Sequence, residues 1–443
     1  MFDNFDKIYF LFKIVCISFI HTGYYYIGSI FSFCDYSNYL INIANALSKE
    51  NILYVKMFQM ISMEKKWIPE DVSTSLMKFT DNAPYSNSDI DWKSIVQLKN
   101  DYKIVINKND VPMNSGMISL VFKATDCDKN NIVVKIKRVD VEKKLKDGVE
   151  QMLFVLGIIS YFITSIEKMQ IDISIKKNSN IILQQLDFEK EVESTEQMQK
   201  NCKYLSYVKI PKVYKEITKS IPNIIVQEFL EGKTICQLFE SDCEMYAPLV
   251  LKYGFVSSFI HGFTHGDLHA GNILFIKTMI ITKKKLSIPK YQIGIIDFGI
   301  VLEIKENVKN TMLNVLVEMN EKPPSYTADK LFRCFINNFD ELQEEQKKKM
   351  IETSAEIIGM CLHKKNDLNH YKLYEFIWKI NNLLNENNQN VKFNDDFIQI
   401  QMAFAMTHGL TMRLCNDDYI DFLNQIVNEL FHLDLLGDFF IPQ

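Results

Sequence analysis

The hydrophobic positions of the 443-residue chain change period along its length, and each change marks a boundary. Residues 8–33, IYFLFKIVCISFIHTGYYYIGSIFSF, are apolar almost throughout, interrupted by Lys13 and His21 and rich in Tyr. This run predicts a helix packed on the protein or lying against a membrane. The two interruptions argue against a spanning segment, which needs roughly 18 or more uninterrupted apolar residues. Residues 36–82 keep helical spacing, broken at Pro69 and ended by the polar DNAPYSNSD. Alternation then takes over: YKIVINK (102–108), ISLVFKAT (118–125) and NIVVKIKR (131–138) predict three short strands, the last two joined by the turn-like DCDKNN. Helical spacing returns over 139–170 and again over 186–203, and IPNIIVQEFLEG (221–232) predicts a further strand. Beyond it helices dominate, except for strands at NILFIK (272–277) and QIGIIDFG (292–299), with the basic KTMIITKKKLSIPK (277–290) read as an extended hairpin. A small sheet followed by a helical half is the pattern of an α+β, two-lobed protein.

Composition narrows the function. With 47% apolar, 24% charged and 12% aromatic residues the chain can bury a sizeable core. A net charge of -5 and a pI near 6.0 argue against a nucleic-acid footprint as the main function. Only 15 Gly occur, and neither GxGxxG nor GxxxxGK[ST] is found, so dinucleotide and P-loop readings are set aside. Of 50 Lys and Arg only Arg138, Arg333 and Arg413 are Arg. The nine cysteines show no CxxC pair, which suits buried thiols in a reducing intracellular compartment better than a disulfide framework or zinc site. Asp3 and Asp6 stand where a signal or transit peptide would be cationic or acid-poor.

The densest polar cluster is THGDLHAGNIL (264–274), followed by GIIDFG (294–299). Phosphoryl transfer from ATP uses an Asp on a catalytic loop to position the acceptor, an Asn five residues later to hold magnesium, and an Asp at a strand end to hold it too. Asp267, Asn272 and Asp297 occupy those places. The chemistry also needs a cation on the ATP phosphates, usually a strand Lys paired with a helix Glu. VVKIK supplies Lys135, with Lys137 on the same strand face as the competing cation; position in the motif favours Lys135. His261, His265 and His269 recur every four residues, a spacing open to metal ligation, but the kinase-type loop accounts for His265, two residues before Asp267. No A-P-E follows DFG; EIKENVKNTMLNVLVEM reads as a helix, which argues against ordinary protein-kinase activity.

Together these residues resemble the UbiB (ADCK) family of atypical kinases over about residues 50–300. The resemblance implies a two-lobed protein-kinase-like fold with an N-terminal helical extension. That places the extension at residues 1–100, an N-lobe with inserted helices at 101–232, and a mainly helical C-lobe at 233–443. The family's K-x-G-Q motif is matched by Lys56 and Gln59 as regulatory candidates, with Phe58 in place of Gly. Its Ala-rich nucleotide loop corresponds to PMNSGMISLVFKA (112–124), which keeps Ser115, Gly116 and Ser119 without an alanine run. LDFEKEVE matches the family's L-D-F-x-x-E-A and selects Glu191, 56 residues after Lys135, over Glu189 or Glu193.

The resemblance implies Mg-ATP as cofactor, with Lys135 on the phosphates, oriented by Glu191. Asn272 and Asp297 would hold magnesium, Asp267 would be catalytic, and Ser115, Gly116, Ser119 and Glu228 would contact the nucleotide. It also implies partners in quinone or lipid metabolism, and the apolar run of residues 8–33 adds a membrane surface as a candidate partner. Two alternatives stand beside it: a catalytically silent nucleotide-binding scaffold, and a small-molecule phosphotransferase resembling aminoglycoside and choline kinases, which also use HGDLHxGN and IDFG.

Overall fold

The computed structural model describes residues 4–51, 53–54, 83–162, 182–281, 287–318, 321–363 and 392–415. Lys56 and Gln59, with the rest of the K-x-G-Q stretch, lie outside them. The chain divides into two compact units. The first comprises Met1–Glu193 and Lys212–Phe229, the second Ser194–Pro211 and Leu230–Gln443.

The first unit is built on an antiparallel four-stranded sheet in the order β1-β2-β3-β5, from Asn114–Ser115 (β1), Ser119–Thr125 (β2), Asn131–Lys137 (β3) and Ile224–Glu228 (β5). The period-2 pattern of β3 explains its two faces. Ile132, Val134 and Ile136 join Leu120, Phe122 and Val226 on one side, where α3 (Trp92–Tyr102) adds Ile95 and Leu98. On the other side Ile118, Val213 and Ile225 pack with α4 (Val141–Phe162) and with Phe188 and Val192 at the start of α5 (Phe188–Cys202). Lys135 and Lys137 therefore face the helix that carries Glu191.

The expected strand at 102–108 is absent. Tyr102 closes α3, whose N-cap Asp91 accepts from the Ser94 N–H, and Lys103 takes the left-handed conformation (φ 61°) that ends the helix. Ile104 and Ile106 are buried in the core all the same. The alternation reported burial, not a hydrogen-bonded ladder.

The apolar start forms α1 (Asn4–Ile30), which packs through Phe10, Leu11, Ile14 and Ile17 against α2 (Tyr36–Glu50) and Val155 of α4. Lys13 turns to Glu50 and Lys7 to Glu150. Its other side exposes Ile8, Phe12, Val15, Phe19, Ile20 and Ile27. Among the described residues α1 is the one helix long and apolar enough to cross a membrane by length and composition.

In the second unit α7 (Glu240–Phe255) crosses α11 (Asp395–Leu414) closely; a Cβ at Gly254 would lie 2.7 Å from Thr407 Cγ2. Tyr246, Val250 and Tyr253 of α7 share a core with Ile273 and Phe275 of β7 (Ile273–Ile281), Ile293 and Ile295 of β8 (Ser287–Ile295), and Phe298. The β7–β8 pairing runs out to Ile281 opposite Ser287, so the basic insertion does extend a hairpin. Its root is clamped where Asp242 accepts from Lys277 Nζ (2.7 Å) and Tyr291 Oη (3.0 Å). Short strands escaped the sequence pattern: β4 (Val208–Lys209) pairs parallel to β8, and β6 (Phe263–His265) pairs with β9 (Val301–Glu303). After DFG, α8 (Glu306–Glu318) is the helix expected there, and α9 (Pro324–Phe335) and α10 (Glu344–His363) follow. No disulfide forms among the described residues, although Cys127 and Cys236 are exposed rather than buried.

Candidate active site

Two groups of predicted residues are each brought together within one unit. In the first unit Lys135 Nζ donates to both oxygens of Glu191, at 2.7 and 2.9 Å, with side-chain exposures of 12% and 4%. Sheet alternation aims Lys135 at α5, and Asp187, whose carboxylate accepts from the Lys190 N–H, starts that helix so that Glu191 falls one turn in. The competing Lys137 lies over the Phe188 ring at 4.9 Å, and burial lowers its pKa against the pull of Asp187, Glu142 and Glu191. Of the two lysines, Lys135 is the one that pairs with both oxygens of Glu191.

The nucleotide-loop candidates occupy the β1–β2 turn. Gly116 N–H donates to Ser119 O at 3.0 Å, and Ser119 itself is buried opposite Lys137. Ser115 is buried, and its hydroxyl is committed to protein partners, donating to Ala83 O at 2.6 Å and accepting from Arg138 at 2.9 Å. Glu228 ends β5, where its carboxylate accepts from the Lys212 N–H at 3.2 Å.

In the second unit the pairing of β6 with β9 and of β7 with β8 converges the HGDLHAGN loop and the DFG segment. His265 is buried between them. Its Nδ1 accepts from the Asp267 N–H (3.0 Å) and its Nε2 faces Ile296 O (3.3 Å), which assigns the neutral tautomer with the proton on Nε2. Burial lowers its pKa, opposed by Asp267 and Asp297, so the ring stays neutral and acts as a brace. Asn272 Nδ2 donates to Asp267 O (2.9 Å), while Asn272 O accepts from Ile296 N (3.0 Å), one residue before Asp297. Asp297 has a positive φ of 62°, and its Oδ1 accepts from Gly299 N–H at 3.2 Å. A non-glycine residue held left-handed costs of the order of 1 kcal/mol and is sustained only where surroundings over-determine it.

Gly266 is required sterically: a Cβ there would lie 2.6 Å from Ile300 Cγ2. His269 accepts from Gly271 N–H within the loop, and His261 ends the π turn Val256–Ile260, so the histidine spacing does not build a metal site. Among the described residues no group of three or more His, Cys, Asp or Glu could hold a metal by itself. The Asp297 carboxylate and the Asn272 amide oxygen, whose nitrogen is spent on Asp267 O, are hard-oxygen donors of the type that could hold a magnesium shared with substrate phosphates.

Arg138 was not marked by any motif. Its signal was compositional, one of only three arginines among 50 basic residues.

A family model, the ABC1 atypical kinase-like domain, matches residues 97–325, just over half the chain. The chain belongs to the ABC1 atypical kinase-like family. The match takes in Lys135, Glu191, Asp267, Asn272 and Asp297, and the α+β kinase-like fold follows from it. Among ABC1-type relatives, a probable serine/threonine-protein kinase abkB of Dictyostelium discoideum is 26% identical over 58% of this chain and 38% of its own length. A probable protein kinase UbiB of Pseudomonas fluorescens is 24% identical over 53% of this chain and 45% of its own. The chain thus spans less than half the length of these curated relatives. A solved structure, the complex of Rv3197 with erythromycin from Mycobacterium tuberculosis, aligns at 15% identity over 80% of this chain and 86% of its own, with a TM-score of 0.45.

Proposed function

We propose that this ABC1-family chain is a UbiB-like atypical kinase or ATPase that binds Mg-ATP and acts in, or regulates, quinone or lipid metabolism. The observation that carries the reading is the hydrogen-bond web that ties Asp267, Asn272 and the Ile296–Asp297 step together around neutral His265. Packing alone has no use for so many polar groups at a buried strand end. Lys135 binds the α/β-phosphates and is kept extended by Glu191. Asp267 orients the acceptor, water or a lipid-related hydroxyl, and takes up its proton. Asn272 and Asp297 hold magnesium, which when bound neutralises charge on the phosphates. Catalysis is mainly positioning and electrostatic stabilisation. Membrane contact is assigned to the bare apolar side of α1, whose lysines are turned to Glu50 and Glu150.

The test is ATP turnover by the purified chain, with Lys135→Met and Asp297→Asn beside it. Variants that hydrolyse ATP as fast as wild type would sink the assignment. A second reading, a silent nucleotide-binding scaffold, is favoured by the commitment of the Ser115 hydroxyl to Ala83 and Arg138. It predicts a magnesium-dependent rise in melting temperature with ATP and no turnover, even with lipid present.

A further inference from the structure

Arg138 is one of three arginines among 50 basic residues, and its side chain is only 3% exposed. A buried guanidinium is costly unless its donors are matched, and a lysine cannot reproduce the planar fork. Here both Nη atoms are engaged, while Nε is buried without a hydrogen-bond partner among the described residues. Nη1 donates to Pro84 O at 2.8 Å and lies 3.6 Å from the Asp89 carboxylate, which Lys144 also approaches at 2.7 Å. Nη2 donates to Ser115 Oγ at 2.9 Å and reaches Ala83 O at 3.4 Å. The backbone N–H of Arg138 donates to Ile118 O at 2.9 Å. One residue thus grips both ends of the turn from Ser115 to Ile118.

That turn needs an external anchor. β1 is only two residues long and meets β2 at just two residue pairs, so beyond the bond from Gly116 N–H to Ser119 O little of β1 itself holds the turn in place. Ala83 adds a second point, donating its N–H to Ser115 O at 2.6 Å. Arg138 directly follows the last residue of β3, three positions after Lys135. The network therefore locks the turn in register with the strand that carries the proposed phosphate cation.

We infer that Arg138 is a positioning residue for the nucleotide loop, acting through Ser115, whose hydroxyl serves as a relay rather than as a nucleotide ligand. The inference rests on the Mg-ATP reading above. Removing the fork lets the turn drift and weakens nucleotide binding without touching the groups that perform the transfer.

The experiment uses the full chain with Arg138→Lys, Ser115→Ala and the double variant, titrated with Mg-ATP by calorimetry and assayed for turnover. Each single variant is expected to raise Kd and the KM for ATP about tenfold, the scale of one lost buried charge-assisted hydrogen bond. Turnover of Arg138→Lys at saturating ATP should stay within about twofold, and the Kd of the double variant should be no worse than that of the worse single, because both break one network. Amide exchange across residues 115–119 should quicken in the nucleotide-free variants. Wild-type protein that binds no Mg-ATP overturns the kinase reading and this role with it. Wild type that binds, with Arg138→Lys at an unchanged Kd or with strictly additive effects, overturns the positioning role alone. Should Arg138→Lys not fold, Ser115→Ala decides: an unchanged Kd overturns the proposal.

Discussion

Replacing either member of the Lys135–Glu191 pair leaves an opposite charge stranded in a nearly closed environment. Nζ approaches the two carboxylate oxygens at 2.7 and 2.9 Å, and neither side chain is more than 12% exposed. Breaking such a pair from one side costs about 3–5 kcal/mol, mostly through the uncompensated charge that remains. Lys135→Met takes the hydrogen-bonded cation away from the more buried group, the Glu191 carboxylate, and should cost about 4 kcal/mol. Glu191→Gln keeps shape and one acceptor oxygen, so about 2 kcal/mol is expected. The double variant Lys135→Met/Glu191→Gln leaves neither charge of the pair behind and should fall short of the sum of its singles by about 2–3 kcal/mol. Urea unfolding followed by circular dichroism and by tryptophan fluorescence reads this; Trp92, packed on the core of the first unit, reports on the affected part. Since the chain has two units, the midpoint of the transition common to both probes is the quantity to compare. Additivity of the singles to within about 0.5 kcal/mol would refute the argument, because it would mean that the two charges do not stabilise one another.

Other outcomes follow from particular contacts. Gly266→Ala drives a Cβ to 2.6 Å from Ile300 Cγ2 and should cost about 1–3 kcal/mol in urea unfolding while lowering turnover, because it pushes the catalytic loop off β9. Burial beside Lys309 pushes the His261 pKa down to about 4, so the folded protein holds fewer protons there than the unfolded chain does below pH 6.5. The stability it contributes is complete above about pH 6.5 and is lost as pH falls toward 4, by about 2 kcal/mol after allowing for partial solvent access. His261→Gln should flatten that acid limb in a pH series of melting curves. Phe19→Glu, on the bare side of α1 at 80% exposure, should change stability by less than about 0.5 kcal/mol yet reduce co-flotation with anionic vesicles.

Much of the fold was legible where a period ran long enough to count. The seven-residue β2 and β3, the α5 helix and the β7–β8 hairpin all stand out as alternation or as 3.6-residue spacing. Strands of two or three residues, such as β4, β6 and β9, carry no period; backbone pairing alone defines them. Residues 103–108 show the converse failure. Alternating burial of Ile104 and Ile106 looks like a strand, but burial needs only an extended backbone, whereas a strand also needs a partner.

The candidate site was legible through motif chemistry, and its supports were not. That His265 would accept from Asp267 N–H, or that Asp297 would be left-handed, depends on where β6 meets β9 and how the DFG segment leaves β8. The Ser115 hydroxyl looked available for nucleotide in the sequence. Its commitment to Arg138 and Ala83 arises from a contact across 23 and 32 residues that no local pattern encodes.

The central claim is that Asp267, in its loop braced by His265 and Asn272, serves phosphoryl transfer from Mg-ATP. The most direct measurement is phosphate release or product phosphorylation by the purified chain with Mg-ATP, with and without lipid vesicles, beside Asp267→Asn at matched folding. The account predicts turnover by wild type that falls by about a hundredfold or more in the variant. Equal rates for the two proteins would contradict it.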